Sequence, residues 1–164
     1  MSYADAILPE YDRETANTRK VLECVPEDQL DWRARPTMNT IGWNANHLVE
    51  IANWCEGILK QDSWNVAPVG APPYASPNLR TRAELLARFD AGVAAGRQAI
   101  LEVKDEELSV PWSLLMGERV IFTLPRGDCI RKFLLNHTIH HRAILTVYLR
   151  LNDIATPAMY DAGG

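Results

Sequence analysis

A chain of 164 residues and 18.5 kDa has the length of one domain, and 47% hydrophobic residues suffice for a proper core, which excludes extended disorder. Lys and Arg number 17 against 21 Asp and Glu, so the formal net charge is −4 and no basic surface that neutralises phosphates is implied; nucleic acid is not an expected partner. No run of about eighteen apolar residues occurs, so no membrane partner is expected, and the start MSYADAILPEYDRETANTRK lacks the basic-then-apolar order of a signal peptide, which predicts a cytoplasmic protein.

Apolar residues recur at helical spacing in four long segments. The first runs from about Ser2 to Val25, with Ala6, Ile7, Tyr11, Thr15, Thr18, Val21, Leu22 and Val25 near one stripe, and Pro26 stops it. The stretch PEDQLDWRARPTMNT then reads as an ordered loop anchored by Trp32 and Met38. Asn39 or Thr40 can cap the second helix, IGWNANHLVEIANWCEGILKQ, which runs to about Gln61. Residues Asp62 to Leu79 hold prolines 68, 72, 73 and 77 and predict a long surface crossing. The third helix, from about Thr81 to Lys104, is rich in strong helix formers. Val110 to Leu115 and Arg119 to Leu124 flank a Met-Gly-Glu turn and predict a small β-hairpin. The fourth helix begins near Pro125 or Asp128 and runs through CIRKFLLNHTIHHRAILTVYLRLND. These elements predict an all-α fold: a single domain over residues 1–164, built as a four-helix bundle with long crossings and a small β-hairpin before the last helix.

Cys24, Cys55 and Cys129 form no CxxC pair and no disulfide framework, so they read as reduced core residues within helices. The four histidines carry the strongest signal, because His137, His140 and His141 share a turn and a half of the last helix. At about 100° per residue His137 and His141 stack on one face, with Ile130, Leu134, Ile144, Leu145 and Tyr148 within roughly 60° of them. His47 falls inside the arc of Leu48, Ile51, Trp54, Cys55 and Ile58, with Trp43 and Trp54 close enough to wall a cavity. All three histidines are therefore predicted to face the core. A buried imidazole left unsatisfied costs about 1–3 kcal/mol. A divalent metal bound by neutral imidazole nitrogens, with open positions for water or substrate, answers that cost. The alternative is that each ring satisfies itself on a carbonyl, a water or a neighbour such as Asn44 or Glu50. His140 points about 100° away and reads as a rim group, although an i, i+3 pairing with His137 is sterically allowed. Thr138 stands where the zincin motif needs glutamate, which disfavours peptide hydrolysis by that mechanism.

With these residues in place, the chain resembles the DinB/YfiT-like family of metalloenzymes. The resemblance lies in the block ECVPEDQLDWRARPTMNTIGWNANHL, the Trp-containing hairpin, the helix LLNHTIHHRAILTVYLRLND and the tail ATPAMYDAGG. It implies a bundle of up-down-down-up type, usually a homodimer, with a metal held at His47, His137 and His141. Activities in the family include thiol S-transfer with low-molecular-weight thiols such as bacillithiol, mycothiol-dependent maleylpyruvate isomerisation, and an iron-binding role in ergothioneine biosynthesis. The tail departs from the Tyr-Gly-Pro-Ser-type continuation and reads Met159-Tyr160-Asp161-Ala162-Gly163-Gly164.

The leading functional expectation is thus a metal-dependent transferase of the thiol S-transferase type. Its ion is zinc or nickel, with iron as a further choice, and its substrates are small molecules, including a low-molecular-weight thiol. Asn44, one turn before His47, is placed to orient a ligand or water, and Glu50, His140 and Tyr148 are candidates to support the metal ligands from behind. A metal-dependent hydrolase of a small substrate and a non-catalytic metal- or ligand-binding bundle are the alternatives. Leu135, Ile139, Ala143 and Val147 make the far side of the last helix apolar too, which predicts a homodimer contact through helices.

Overall fold

The computed structural model describes residues 2–160, and Asp161 to Gly164 of the tail lie outside the described residues. Helix α1 spans Tyr3–Leu22 and opens with a reciprocal capping box between Ser2 and Asp5. It ends three residues short of the predicted Val25, in a turn that precedes Pro26. Its apolar stripe is buried through Ile7, Tyr11, Val21 and Leu22, while the hydroxyls of Thr15 and Thr18 bond back to the carbonyls of Tyr11 and Glu14. In the loop that follows, Trp32 packs edge-on against Tyr148 with ring centroids 5.5 Å apart. Met38, expected as a second anchor, is instead exposed, because the short Arg35–Met38 turn carries it away from the core.

Thr40, not Asn39, caps the second helical region, accepting from the backbone N–H of Trp43. That region is two helices rather than one: α2 over Ile41–Ala52 and α3 over Trp54–Lys60. Asn53 separates them, and its side-chain amide donates to the Val49 carbonyl, the kind of local bond that competes with the helical ladder. The predicted crossing holds a short strand, β1 over Ser63–Asn65, before its proline-rich remainder. Asn46 on α2 ties that remainder down by exchanging two hydrogen bonds with the backbone of Leu79.

Helix α4, Arg82–Glu102, starts with a Thr81/Glu84 capping box and ends before the predicted Lys104. Strands β2, Pro111–Met116, and β3, Arg119–Pro125, form the expected hairpin, with Gly117 supplying the positive φ of the turn. Strand β1 joins β2 in parallel, so the hairpin is part of a three-stranded sheet of order β1-β2-β3 and the protein is mostly helical rather than all-α. The last helical run comprises α5, Arg126–Asp128, a π-helical segment, Cys129–Leu135, and α6, Asn136–Leu151. Leu135, the last residue of the π-helical segment, is buried in the core with Ile7, Tyr11 and Ile51, while Ala143 and Val147 on α6 stay exposed. Cys55 and Cys129 are fully buried, but Cys24 lies beyond the end of α1 and is only partly so.

Helix α4 reaches its neighbours through glycine. A Cβ at Gly96 would stand 2.5 Å from the Tyr11 hydroxyl and 2.8 Å from Cys55 Cβ, so the helices cannot pack this closely around a larger residue. Gly96→Ala is expected to lower stability by about 1–3 kcal/mol, read from the urea midpoint. Gly57→Ala, with nothing nearer than Gln61 Oε1 at 4.0 Å, is the control expected to gain about 0.5–1 kcal/mol from helix propensity.

Candidate metal centre

Helices α2 and α6 pack face to face, and the Thr40 cap fixes the first turn from which Asn44 and then His47 project. From α6, His137 and His141 project one turn apart. The three rings meet: one ring nitrogen from each lies within 4.8 Å of the others. His137 Nε2 is 3.0 Å from His141 Nε2 and 3.3 Å from His47 Nε2.

The far side of each ring decides its proton. His47 Nδ1 stands 2.7 Å from Glu50 Oε2, and a carboxylate only accepts, so the proton belongs on Nδ1. His141 Nδ1 stands 3.4 Å from Asn44 Oδ1, whose amide nitrogen is committed to the Thr40 carbonyl at 2.8 Å. The Phe133 backbone acts on His137 in the sense of an acceptor. With Nδ1 of His47 and of His141 turned to outer acceptors, the Nε2 atoms of the three rings lie toward one another. A cation between them would be held by all three at once. Two nitrogens each about 2.1 Å from one ion stand about 3.0–3.4 Å apart at right or tetrahedral angles, so the donor set fits a divalent metal.

Burial, and then the neighbouring His47, holds the His137 imidazole below its ordinary range; the same causes, with His137 and His140 added, bring His141 down to about 4. The neutral forms that ligate are therefore the favoured ones. For stability the sign follows directly: between about pH 4 and 6.5 the unfolded chain binds more protons at His141 than the folded one, so folding weakens as pH falls through that window. Metal-free protein is expected to melt at a lower temperature at pH 5 than at pH 7. An unchanged or higher melting temperature at pH 5 would contradict the placement of these rings.

Around the three histidines, Trp43 stacks on His47 at 4.6 Å, and Trp54 meets it edge-on at 5.6 Å, so both tryptophans wall the cluster. Trp54 in turn stacks flat on Phe133 at 4.9 Å. Burial alone would raise the Glu50 carboxyl, but hydrogen bonds from His47 and from Ser76, the latter at 2.8 Å, outweigh it and hold the group below the usual range. His140 is exposed, with its ring 5.0 Å from that of His141 and turned away from the three converging nitrogens. Tyr148 is buried against Trp32 two turns along α6 from His141. Ser76 and Tyr74 come to Glu50 from the proline-rich crossing, and nothing in their sequence spacing announces it. The thiols are unsuited as nucleophiles, since burial pushes Cys55 up to about 12 and Cys129 up to about 11.

Two cavities flank the cluster. One of about 300 Å³ is lined by Thr40, Trp43, Asn46, His47 and Glu50, with Asp31 and Arg80 at its edge held in a two-point ion pair. The other, of about 240 Å³, lies on the side of Trp54 and shares Glu50 with the first.

The sequence profile of the DinB superfamily matches residues 10–145. Among solved structures, a DinB-like protein of Bacillus cereus ATCC 10987 superposes with a TM-score of 0.69 at 22% identity, over 95% of this chain and 97% of that one. A DinB-like protein of Bacillus subtilis gives a TM-score of 0.70 at 13% identity, over 96% and 99% of the two chains. The likeness to both is one of fold. No curated protein matches the sequence.

Proposed function

Because the chain belongs to the DinB superfamily and brings the Nε2 atoms of three imidazoles together, we propose that it is a metal-dependent transferase that joins a low-molecular-weight thiol to a small electrophile. The proposed ligands are His47, His137 and His141, and the proposed ion is zinc or nickel, with iron as a further choice. The convergence of the three Nε2 atoms carries the metal-dependent part of this reading. A bound divalent ion brings the ionisation of a thiol close to neutral pH and polarises a carbonyl.

The chain's own residues prepare the site for that chemistry. Glu50 holds the His47 ring and Asn44 the His141 ring by the outer nitrogen, which orients both rings. Trp43 and Trp54 cover two sides of the His47 ring. The two cavities on either side of Glu50 offer places for two different substrates. In the transfer the thiol gives up its proton to solvent, its sulfur bonds to the electrophilic carbon, and the displaced electron pair departs with the leaving group.

Hydrolysis is the weaker reading because it asks for a free carboxylate base. Glu50 is committed on both oxygens, to His47 and to Ser76, and Asp31 is committed to Arg80. The same family reading carries a homodimer, for which exposed Ala143 and Val147 on α6 are the proposed contact.

Metal-loaded protein supplied with cysteine-type thiols and an aryl halide is expected to consume both in equal amounts, and His141→Ala is expected to abolish the reaction. Turnover that persists in metal-free protein, or an ester hydrolysed at full rate with no thiol present, would contradict the proposal. Glu50→Gln is expected to weaken metal binding about 10- to 100-fold, measured by competition with a chelator, because the neutral amide no longer holds His47 as a carboxylate does.

A further inference from the structure

The Glu50 carboxylate, which holds the His47 ring, stands between two cavities of about 300 and 240 Å³. Packing therefore leaves it room to turn on both sides, and its hydrogen bonds decide where its oxygens point. Oε2 lies 2.7 Å from His47 Nδ1, and Oε1 accepts from the Ser76 hydroxyl at 2.8 Å. Ser76 belongs to the proline-rich crossing, which is fastened on both sides of it. Before Ser76, the Val66 N–H donates to the Leu115 carbonyl of β2, and the Tyr74 N–H donates to the Val66 carbonyl at 2.7 Å. After it, Leu79 exchanges two hydrogen bonds with Asn46, which lies one residue before His47 and one turn before Glu50. Between these fastenings Ser76 precedes Pro77, so its backbone is confined to the extended region and its hydroxyl is presented from a narrow range of positions.

We propose that the crossing over residues 66–79 is a positioning strap for His47: Asn46 fastens it across α2, Ser76 fixes the Glu50 carboxylate, and Glu50 fixes the ring. The strap rests on the metal centre proposed above and adds a residue, Ser76, that acts on the ligand only through Glu50. An outer hydrogen bond of this kind sets the direction of a ligand's donor atom, and loss of one weakens a metal site about 10- to 100-fold. Tyr74 acts on the same carboxylate in the sense of a donor, from the same strap. Without the Ser76 hydroxyl, Oε1 loses its 2.8 Å bond, and the carboxylate is free to turn into either cavity and release His47 Nδ1.

Ser76 is exposed, so its substitution leaves the core intact. Full-length metal-free protein is titrated with zinc in competition with a chelator, for wild type, Ser76→Ala and Ser76→Thr. Ser76→Ala is expected to weaken zinc about tenfold, and Ser76→Thr, which keeps the hydroxyl, is expected to bind as wild type does. In a Glu50→Ala background Ser76→Ala is expected to add nothing further, because the carboxylate through which it acts is gone. The second readout is the His47 Nδ1–H proton of metal-free protein, followed by NMR and assigned from His47→Asn. Its signal is expected in wild type and Ser76→Thr and is expected to be lost to exchange with water in Ser76→Ala. A signal that behaves alike in wild type and Ser76→Ala, a zinc loss that Ser76→Thr does not restore, or a further loss in the Glu50→Ala background would overturn the proposal. Because the proton is read without zinc, the strap and the metal centre fail separately. Loss of the signal in Ser76→Ala of a protein that takes up no zinc would support the strap and remove the metal centre.

Discussion

Zinc is expected to raise the melting temperature of the metal-free protein by about 10 °C, and His137→Ala is expected to abolish that increment. Only the folded chain brings three Nε2 atoms together, so an ion that binds there stabilises the native state by mass action. At a free-ion concentration about a thousand times Kd the gain is about 4 kcal/mol, and in a domain of this size each kcal/mol moves Tm by about 2–4 °C. The effect is large because the folded protein already holds the three ring nitrogens together. Removing the His137 ring takes away the ligand nearest both others, at 3.0 and 3.3 Å, so the variant loses the increment while keeping its helices. A wild-type Tm that does not respond to zinc, nickel or iron would show that the rings satisfy one another without a metal.

Arg142→Met is expected to cost about 3–5 kcal/mol, the largest loss of stability from a single change outside the site. Arg142 follows His141 but faces α1, about 100° around the helix, where its guanidinium lies 2.6 Å from Glu14 Oε2 and 2.9 Å from the Glu14 carbonyl. Both side chains are within a few per cent of complete burial. Truncating the arginine leaves the buried Glu14 carboxylate with only the mostly exposed Arg13, 3.3 Å from Oε1, as an opposite charge, whereas replacing both partners by apolar residues removes the buried charges altogether. Glu14→Leu combined with Arg142→Met is therefore expected to recover most of the loss, and urea midpoints of the two single variants and the double variant measure the difference. The arginine also donates to the Tyr160 hydroxyl at 3.1 Å, and Asn17 holds the Met159 carbonyl, so the single variant is expected to expose residues 154–160 to proteolysis sooner than wild type. A loss below about 1 kcal/mol would mean that water reaches the pair.

The histidines were legible in the sequence because helical periodicity is a long-range signal within one element. The i, i+4 spacing of His137 and His141 and the apolar arc around His47 place all three on facing helix sides before any tertiary information is used. What surrounds them was less legible. Ser76 reaches Glu50 only because Asn46 pins the proline-rich crossing over α2, and no local pattern encodes a contact between segments so distant in sequence. Strand β1 has three residues, too few for alternation to register, and exists because β2 offers it an edge. The break at Asn53 turns on one amide bonding back to Val49. The π segment before α6 carries apolar residues that fit an α-helix equally well, yet it contains Phe133, whose ring lies 5.8 Å from that of His137 and stacks on Trp54. Such widened turns occur often at functional sites, and this one adjoins the proposed centre.

The most direct test of the central claim is the metal content of untagged protein, counted per chain by elemental analysis for wild type and for His141→Ala. About one divalent ion per wild-type chain, lost in the variant, is the result expected from three converging imidazoles. No metal in either protein, even after soaking with zinc, nickel and iron, would contradict the metal centre and leave the three histidines as polar groups that only pack the face between α2 and α6.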